Sequence, residues 1–160
     1  MEYREIGTKN LRHIWSVLCS NSVLNADNNN LNLNNLVERL TFPIKAEMKK
    51  SKEASKATGY MMSVELEVVS RFKKETDEAM AFEIKFDFVN SQGAIIASLP
   101  PNKFGIQKEI KSMRIRSKIN AIPVDQSGEF TIVVLIKEAG QSQFTEVDRI
   151  PLDIVLKDEN

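Results

Sequence analysis

Between residues 112 and 156, apolar and polar positions alternate in three successive segments. Met113, Ile115, Ser117 and Ile119 fall on one side and Arg114, Arg116 and Lys118 on the other, the period-two pattern of a strand with one buried face. Ile122 and Pro123 are expected to end it. Beyond Asp125, Gln126, Ser127 and Gly128, a second segment sets Phe130, Ile132, Val134 and Ile136 against Thr131, Val133 and Leu135. Both sides are apolar enough for a central strand covered on two faces. Turn formers at 138–142 lead into a last segment with Ile150, Leu152, Ile154 and Leu156 on one face.

The same alternation organises the earlier chain. Met62, Val64, Leu66, Val68 and Phe72 are expected to face inward, with Ser63, Glu65, Glu67 and Arg71 outward. Met80, Phe82, Ile84, Phe86 and Phe88 oppose Glu83, Lys85 and Asp87 in the next strand, and residues 73–78 read as a polar hairpin loop between the two. A turn at 90–93 precedes a short strand at 94–99, which Pro100 and Pro101 stop. Residues 102–111 then read as a connection. Nearer the start, residues 13–19 form a strand with His13, Trp15, Val17 and Cys19 on one side and Ile14 and Leu18 on the other. The Asn-rich run 25–30 is a hairpin turn, because short amide side chains bond their own backbone and tolerate left-handed conformations. Leu31 and Leu33 start the return strand; its pattern breaks at Asn34 and Asn35 and resumes through Leu36, Leu40 and Phe42, as a β-bulge or a short helical turn would make it. The charged residues 45–56 read as an exposed loop.

About eight strands with no long amphipathic helix predict an all-β fold, an antiparallel two-sheet sandwich of immunoglobulin-like type, with a barrel as the alternative. Residues 1–10 are expected to be a flexible arm and 11–157 a single sandwich domain. Its core should contain Trp15, Leu66, Phe82, Ile84, Phe86, Ile115, Phe130, Ile132 and Ile154. Asp125, Gln126, Ser127, Gly128, Glu129 and Phe130 resemble the corner before the penultimate strand of immunoglobulin-like sandwiches. Phe130 lacks the hydroxyl of that family's corner tyrosine, and the inter-sheet cysteine pair is missing, which excludes antibody-type domains. More broadly, residues 15–19, the Asn-rich turn, Leu31 to Leu33 and residues 150–154 resemble a family of small single-domain bacterial β-sandwich proteins of unknown function. That resemblance implies a fold and brings no catalytic residues.

Charge and chemistry narrow the function classes. Lys plus Arg and Asp plus Glu each number 22, so no global field draws the chain to a polyanion. With one cysteine, no secretory pattern at residues 1–10 and no apolar run of roughly 20 residues, a reducing, cytoplasmic setting away from membranes is expected. His13 and Cys19 are the sole histidine and cysteine. Along one strand, at about 3.3 Å per residue, they stand roughly 20 Å apart, beyond proton transfer. Two such ligands are too few for structural zinc. Asp27 to Asn30 lack the glycine and spaced acid of a calcium loop. Glu65 with Glu67, and Glu83 with Asp87, sit on faces read as solvated, where nothing separates their pKa values. No catalytic residue, cofactor or metal is expected.

One local asymmetry remains: Lys103, Lys108, Lys111, Arg114, Arg116 and Lys118, opposed in that interval by Glu109 alone. Exposed aromatics do not interleave this stripe, and Glu65, Glu67, Glu83 and Asp87 are expected to neutralise it across strands, so nucleic acid is disfavoured. The expected function is a non-enzymatic interaction or scaffold module, binding a protein partner or a second copy through loops or a sheet edge. The edge is expected near 94–99 or along the terminal strand interrupted by Pro151. The alternative is a ligand- or nucleic-acid-binding domain that uses the basic face. Ile95, Ile96, Arg114, Arg116 and Lys118 are the candidate binding residues.

Overall fold

The computed structural model describes residues 7–159, which build two facing β-sheets. In chain order the elements are β1 (Leu11–Leu24), β2 (Leu31–Leu36), β3 (Arg39–Ile44), α1 (Ala46–Ser55), β4 (Tyr60–Lys74), β5 (Met80–Val89), β6 (Ile95–Ser98), β7 (Asn102–Ile106), β8 (Ser112–Val124), β9 (Gly128–Glu138) and β10 (Thr145–Asp158). The first sheet has the order β2-β1-β4-β8. The second runs β3-β10-β9-β5, with β6 and β7 both pairing to β5. This is the immunoglobulin-like sandwich: β1, β4 and β8 take the A, B and E places of one sheet, and β5, β9 and β10 the C, F and G places of the other.

The alternation in the sequence marks the inner faces. Leu66, Val68 and Phe72 of β4 and Ile115 and Ile119 of β8 meet Phe82, Ile84, Phe86 and Phe88 of β5, and all are buried in one core. Phe130, Ile132, Val134 and Ile136 of the central strand β9 join it, as do Leu152 and Ile154 of β10. Ring contacts bridge the layers, since Phe72 of the first sheet lies 5.6 Å from Phe82 of the second.

Trp15 departs from the expected core and is only half-buried. The register between β1 and β4 slips, with His13 opposite Phe72 but Trp15 opposite Arg71. The extra residue, exposed Ile14, reverses the side-chain alternation. His13 therefore turns to the core side, against the Phe72 ring at 5.5 Å, while Trp15 and Cys19 take the outer side of the sheet.

The break at Asn34 and Asn35 is neither a bulge nor a helical turn. Asn35 adopts φ 49, and the chain leaves the first sheet to enter the second as β3. There it runs parallel to β10, from Arg39 opposite Asp153 to Ile44 opposite Asp158, so the sandwich is not wholly antiparallel. Crossing layers in this way buries Phe42 and Ile44. Residues 73–78 likewise are not a hairpin loop, because β4 and β5 belong to different sheets. Buried Lys74 braces this crossing: its Nζ donates to the carbonyls of Glu78, Gln107 and Lys108 at 2.8, 2.9 and 2.9 Å.

Residues 46–55 form a helix where a loop was expected, since Ala, Glu, Met and Lys are strong helix formers. None of its residues is buried, so no apolar stripe signals it in the sequence. Lys49 pairs with Asp158 at 2.7 Å, and Lys52 Nζ lies 4.6 Å from the Tyr60 ring centre. Strand β7 occupies part of the expected connection 102–111. Strand β8 continues through Pro123 because it lies at a sheet edge, where a missing N–H is tolerated. Of the expected flexible arm, residues 1–6 lie outside the described residues. Residues 7–10 are tied down: the Thr8 hydroxyl and the backbone and side-chain N–H groups of Asn10 all donate to Glu138.

Phe86 is 1% exposed at the centre of the core. Phe86→Ala is expected to lower unfolding stability by about 3–5 kcal/mol in denaturant titration, and an unchanged midpoint would remove Phe86 from the core.

Candidate anion-binding groove

The outer face of the first sheet is read directly from its register. Trp15, Arg71 and Arg114 lie side by side on β1, β4 and β8; Val17, Val69 and Arg116 form the next row, and Cys19, Glu67 and Lys118 the third. Pairing of β1 with β4 ends at Cys19 opposite Glu67. From there β1 continues paired with β2 alone, out to Leu24 opposite Leu31.

This free hairpin folds over the outer face. Arg116 Nη1 donates to the Ser22 carbonyl at 3.1 Å, and Arg114 Nη2 donates to the Asn29 carbonyl and Oδ1 at 2.6 and 3.1 Å. Ser22 Oγ donates to Glu67, which is buried. Val69, although it points outward, is 0% exposed. The Asn-rich turn is held from within: Asn25 Oδ1 accepts from the Asp27 N–H and Asn28 Oδ1 from the Asn30 N–H, while Asn29 takes φ 55. These side-chain oxygens serve the turn itself.

Between the hairpin tip and the strands lies a groove of about 550 Å³ whose lining, among the described residues, includes Leu24, Asn29, Leu31, Arg71, Arg114 and Arg116 and no acidic residue. The cross-strand neutralisation expected from the sequence does not reach it. Glu83 and Asp87 belong to the other sheet, where they pair with Lys137 at 2.8 Å and Lys85 at 3.2 Å. Asp87 is buried there rather than solvated. Glu67 stands opposite Lys118, one row beyond the arginines. Arg71 has no ion-pair or hydrogen-bond partner among the described residues, and it faces Arg114 directly across the strands. Like charges in that position repel. The arrangement can therefore accept an anion through guanidinium N–H groups that the protein leaves available.

The five sequence candidates thus separate. Arg114 and Arg116 meet in the groove, joined by Arg71, which the sequence marks only as an outward residue of β4. Lys118 lies outside its lining. Ile95 and Ile96 sit on β6 at the far edge of the second sheet; Ile95 is 62% exposed, whereas Ile96 packs against the core. The terminal strand β10 is not the edge expected from Pro151, since it lies between β3 and β9.

His13 has polar partners without a catalytic arrangement. Its Nε2 lies 2.8 Å from Ser16 Oγ and 3.5 Å from Asp148 Oδ2, so both partners address one nitrogen. A triad needs the nucleophile and the carboxylate on opposite nitrogens. The cluster instead ties β1 to β10, reinforced by the Ser16 N–H donating to Asp148 at 3.2 Å. Burial holds the imidazole below its ordinary value of 6.5, opposed in part by Asp148 and the Trp15 backbone. Burial, and then the Glu67 charge, push the Cys19 thiol above its ordinary value of 9.0.

Fold and groove together define an immunoglobulin-like sandwich with an arginine-lined cleft on one outer face. No known family model matches the chain, and no curated protein matches it. Among solved structures it is similar to the C-terminal domain of wzt, with 11% identity over 59% of this chain and 69% of that one, at a TM-score of 0.42. It is also similar to the cupredoxin domain of amoB from Nitrosocaldus yellowstonii, with 10% identity over 92% of this chain and 88% of that one, at a TM-score of 0.36. At this similarity no role of either protein is carried over.

Cys19 is 0% exposed with a raised pKa, so alkylating reagents should label it only as the protein unfolds. Mass-detected labelling in native buffer as fast as in denaturant would contradict its burial. For His13 the folded state binds the proton more weakly than the unfolded state. Its contribution to stability is therefore complete above about pH 6.5 and declines as pH falls toward the folded value. The thermal midpoint should drop across that window, and His13→Gln should flatten the drop; an identical pH slope in the variant would assign the effect to other groups.

Proposed function

We propose that this protein is a non-enzymatic binding module that takes an anionic ligand on the outer face of its first sheet. The observation that supports this most is the convergence of Arg71, Arg114 and Arg116 on one groove with no acidic residue among the described residues of its lining. Arginine presents a planar fork of donors, always charged, that matches carboxylate and phosphate oxygens. The lone buried thiol of Cys19 accords with a reducing, cytoplasmic setting. The resemblance of residues 15–19 and 150–154 to small bacterial sandwich proteins of unknown function adds no catalytic group to this reading.

Retention on an immobilised polyanion should fall steeply with added salt. A variant carrying Arg114→Ala and Arg116→Ala, with its circular dichroism unchanged, should elute at clearly lower salt. Equal retention of variant and native protein would reject the groove as the binding surface.

A second reading, association with another copy of this chain through a sheet edge, draws on the 62% exposure of Ile95 on edge strand β6. Ile95→Lys should then abolish concentration-dependent self-association in sedimentation experiments while leaving thermal stability intact. Self-association of undiminished strength would discard that edge.

A further inference from the structure

We infer that the ligand of this groove is a small phosphate-bearing compound whose phosphate sits between Arg71 and Arg114, with Arg116 as the third cation. This rests on the anionic reading above and narrows it to one ligand class. Among the described residues three guanidiniums and no carboxylate line the groove, so a monocarboxylate would leave most of that charge uncompensated. A phosphate carries close to two negative charges near neutral pH and three acceptor oxygens, which suits forks arriving from two adjacent strands.

The two inner arginines differ in how they are held. Arg114 is fixed by the Asn29 carbonyl and Oδ1, and Arg116 by the Ser22 carbonyl. Each keeps further N–H groups, because a guanidinium has five donors. Arg71 has no such anchor among the described residues and stands in register with Arg114. A dianion between them converts a repulsive pair into two attractive contacts.

Size and lining separate a small compound from a nucleic-acid strand. The groove, about 550 Å³, falls within the roughly 300–1,000 Å³ of small-molecule sites. The hairpin reaches across to β8 at Ser22 and Asn29, so an extended strand lying on the arginines would meet that hairpin. Among the described residues no aromatic side chain lines the groove, and Trp15, beside Arg71 on the same face, is half-buried outside that lining, so no stacking platform of the kind single strands use is open within it. Leu24 and Leu31 offer instead an apolar wall for a short substituent.

Arg71→Glu provides the test, because it replaces a like-charge pair by an opposite-charge pair and disturbs no existing bond among the described residues. Isothermal titration would use inorganic phosphate, pyrophosphate, acetate and a short oligothymidylate, all at matched ionic strength. The native protein should bind phosphate and pyrophosphate saturably and acetate not at all. Arg71→Glu should weaken both by at least about tenfold with no fall in thermal midpoint. Equal binding of acetate, phosphate affinity unchanged in Arg71→Glu, or binding of oligothymidylate alone would overturn the assignment. If phosphate fails to bind while polyanion retention still depends on Arg114 and Arg116, the ligand class falls and the anionic reading stands; if both fail, both are overturned.

Discussion

The two sheets are held in place by an aromatic chain that crosses between them. His13 packs edge-on to Phe72, Phe72 meets Phe82 across the layers at 5.6 Å, and Phe82 lies 5.8 Å from Phe104. Each ring belongs to a different strand, β1, β4, β5 and β7, so fixing the rings fixes four strand registers at once. A slip by one residue in any of these strands would send an aromatic ring to the outside and a polar group inward. The outer faces inherit their order from that constraint. Because Phe72 must face the core, Arg71 must face away, and because Ile115 is buried beside it, Arg114 and Arg116 must share Arg71's side.

Strands that bury one clean face were legible in the sequence. Phe82, Ile84, Phe86 and Phe88, or Phe130 through Ile136, repeat at period two without interruption, and each pattern survives intact in the structure. What escaped was set by partners rather than by periodicity. The inserted Ile14 has no sequence signature, yet it moves Trp15 out of the core and His13 into it. The layer change after Asn35 resembles a bulge on paper, because both interrupt alternation by one or two residues. Helix α1 buries none of its residues, so the periodic signal that identifies amphipathic helices is absent and only residue propensity remains to indicate it.

The groove was half legible for the same reason. Arg114 and Arg116 stand out on one strand face, but Arg71 lies more than forty positions earlier in an outward series that also carries Glu65 and Glu67. Only the pairing of β4 with β8 places Arg71 opposite Arg114 and sets Glu67 two rows away, opposite Lys118. Glu83 and Asp87 likewise lie out of reach of the stripe, because β5 belongs to the opposite sheet. A charge stripe that looks balanced along the sequence is thus unbalanced in space.

Why that imbalance persists is a question of where a sandwich can tolerate cost. An exposed like-charge pair on adjacent strands destabilises by a few tenths of a kcal/mol up to about 1 kcal/mol. The core of this fold contains five phenylalanines exposed by less than 2% or at 2%, among them Phe72 and Phe130, and a single such ring contributes several times more, about 3–5 kcal/mol on truncation. The repulsion between Arg71 and Arg114 is therefore small against the packing beneath it, and the sheet keeps its register. The hairpin meets the same condition differently. Beyond Cys19 it has lost pairing to β4, and what anchors its tip is the set of hydrogen bonds from Arg114 and Arg116 to its own carbonyls. The same two arginines that concentrate positive charge on this face thus also hold the groove's roof. Replacing either would change the charge and the shape of the groove together, whereas Arg71, which anchors nothing among the described residues, carries charge alone.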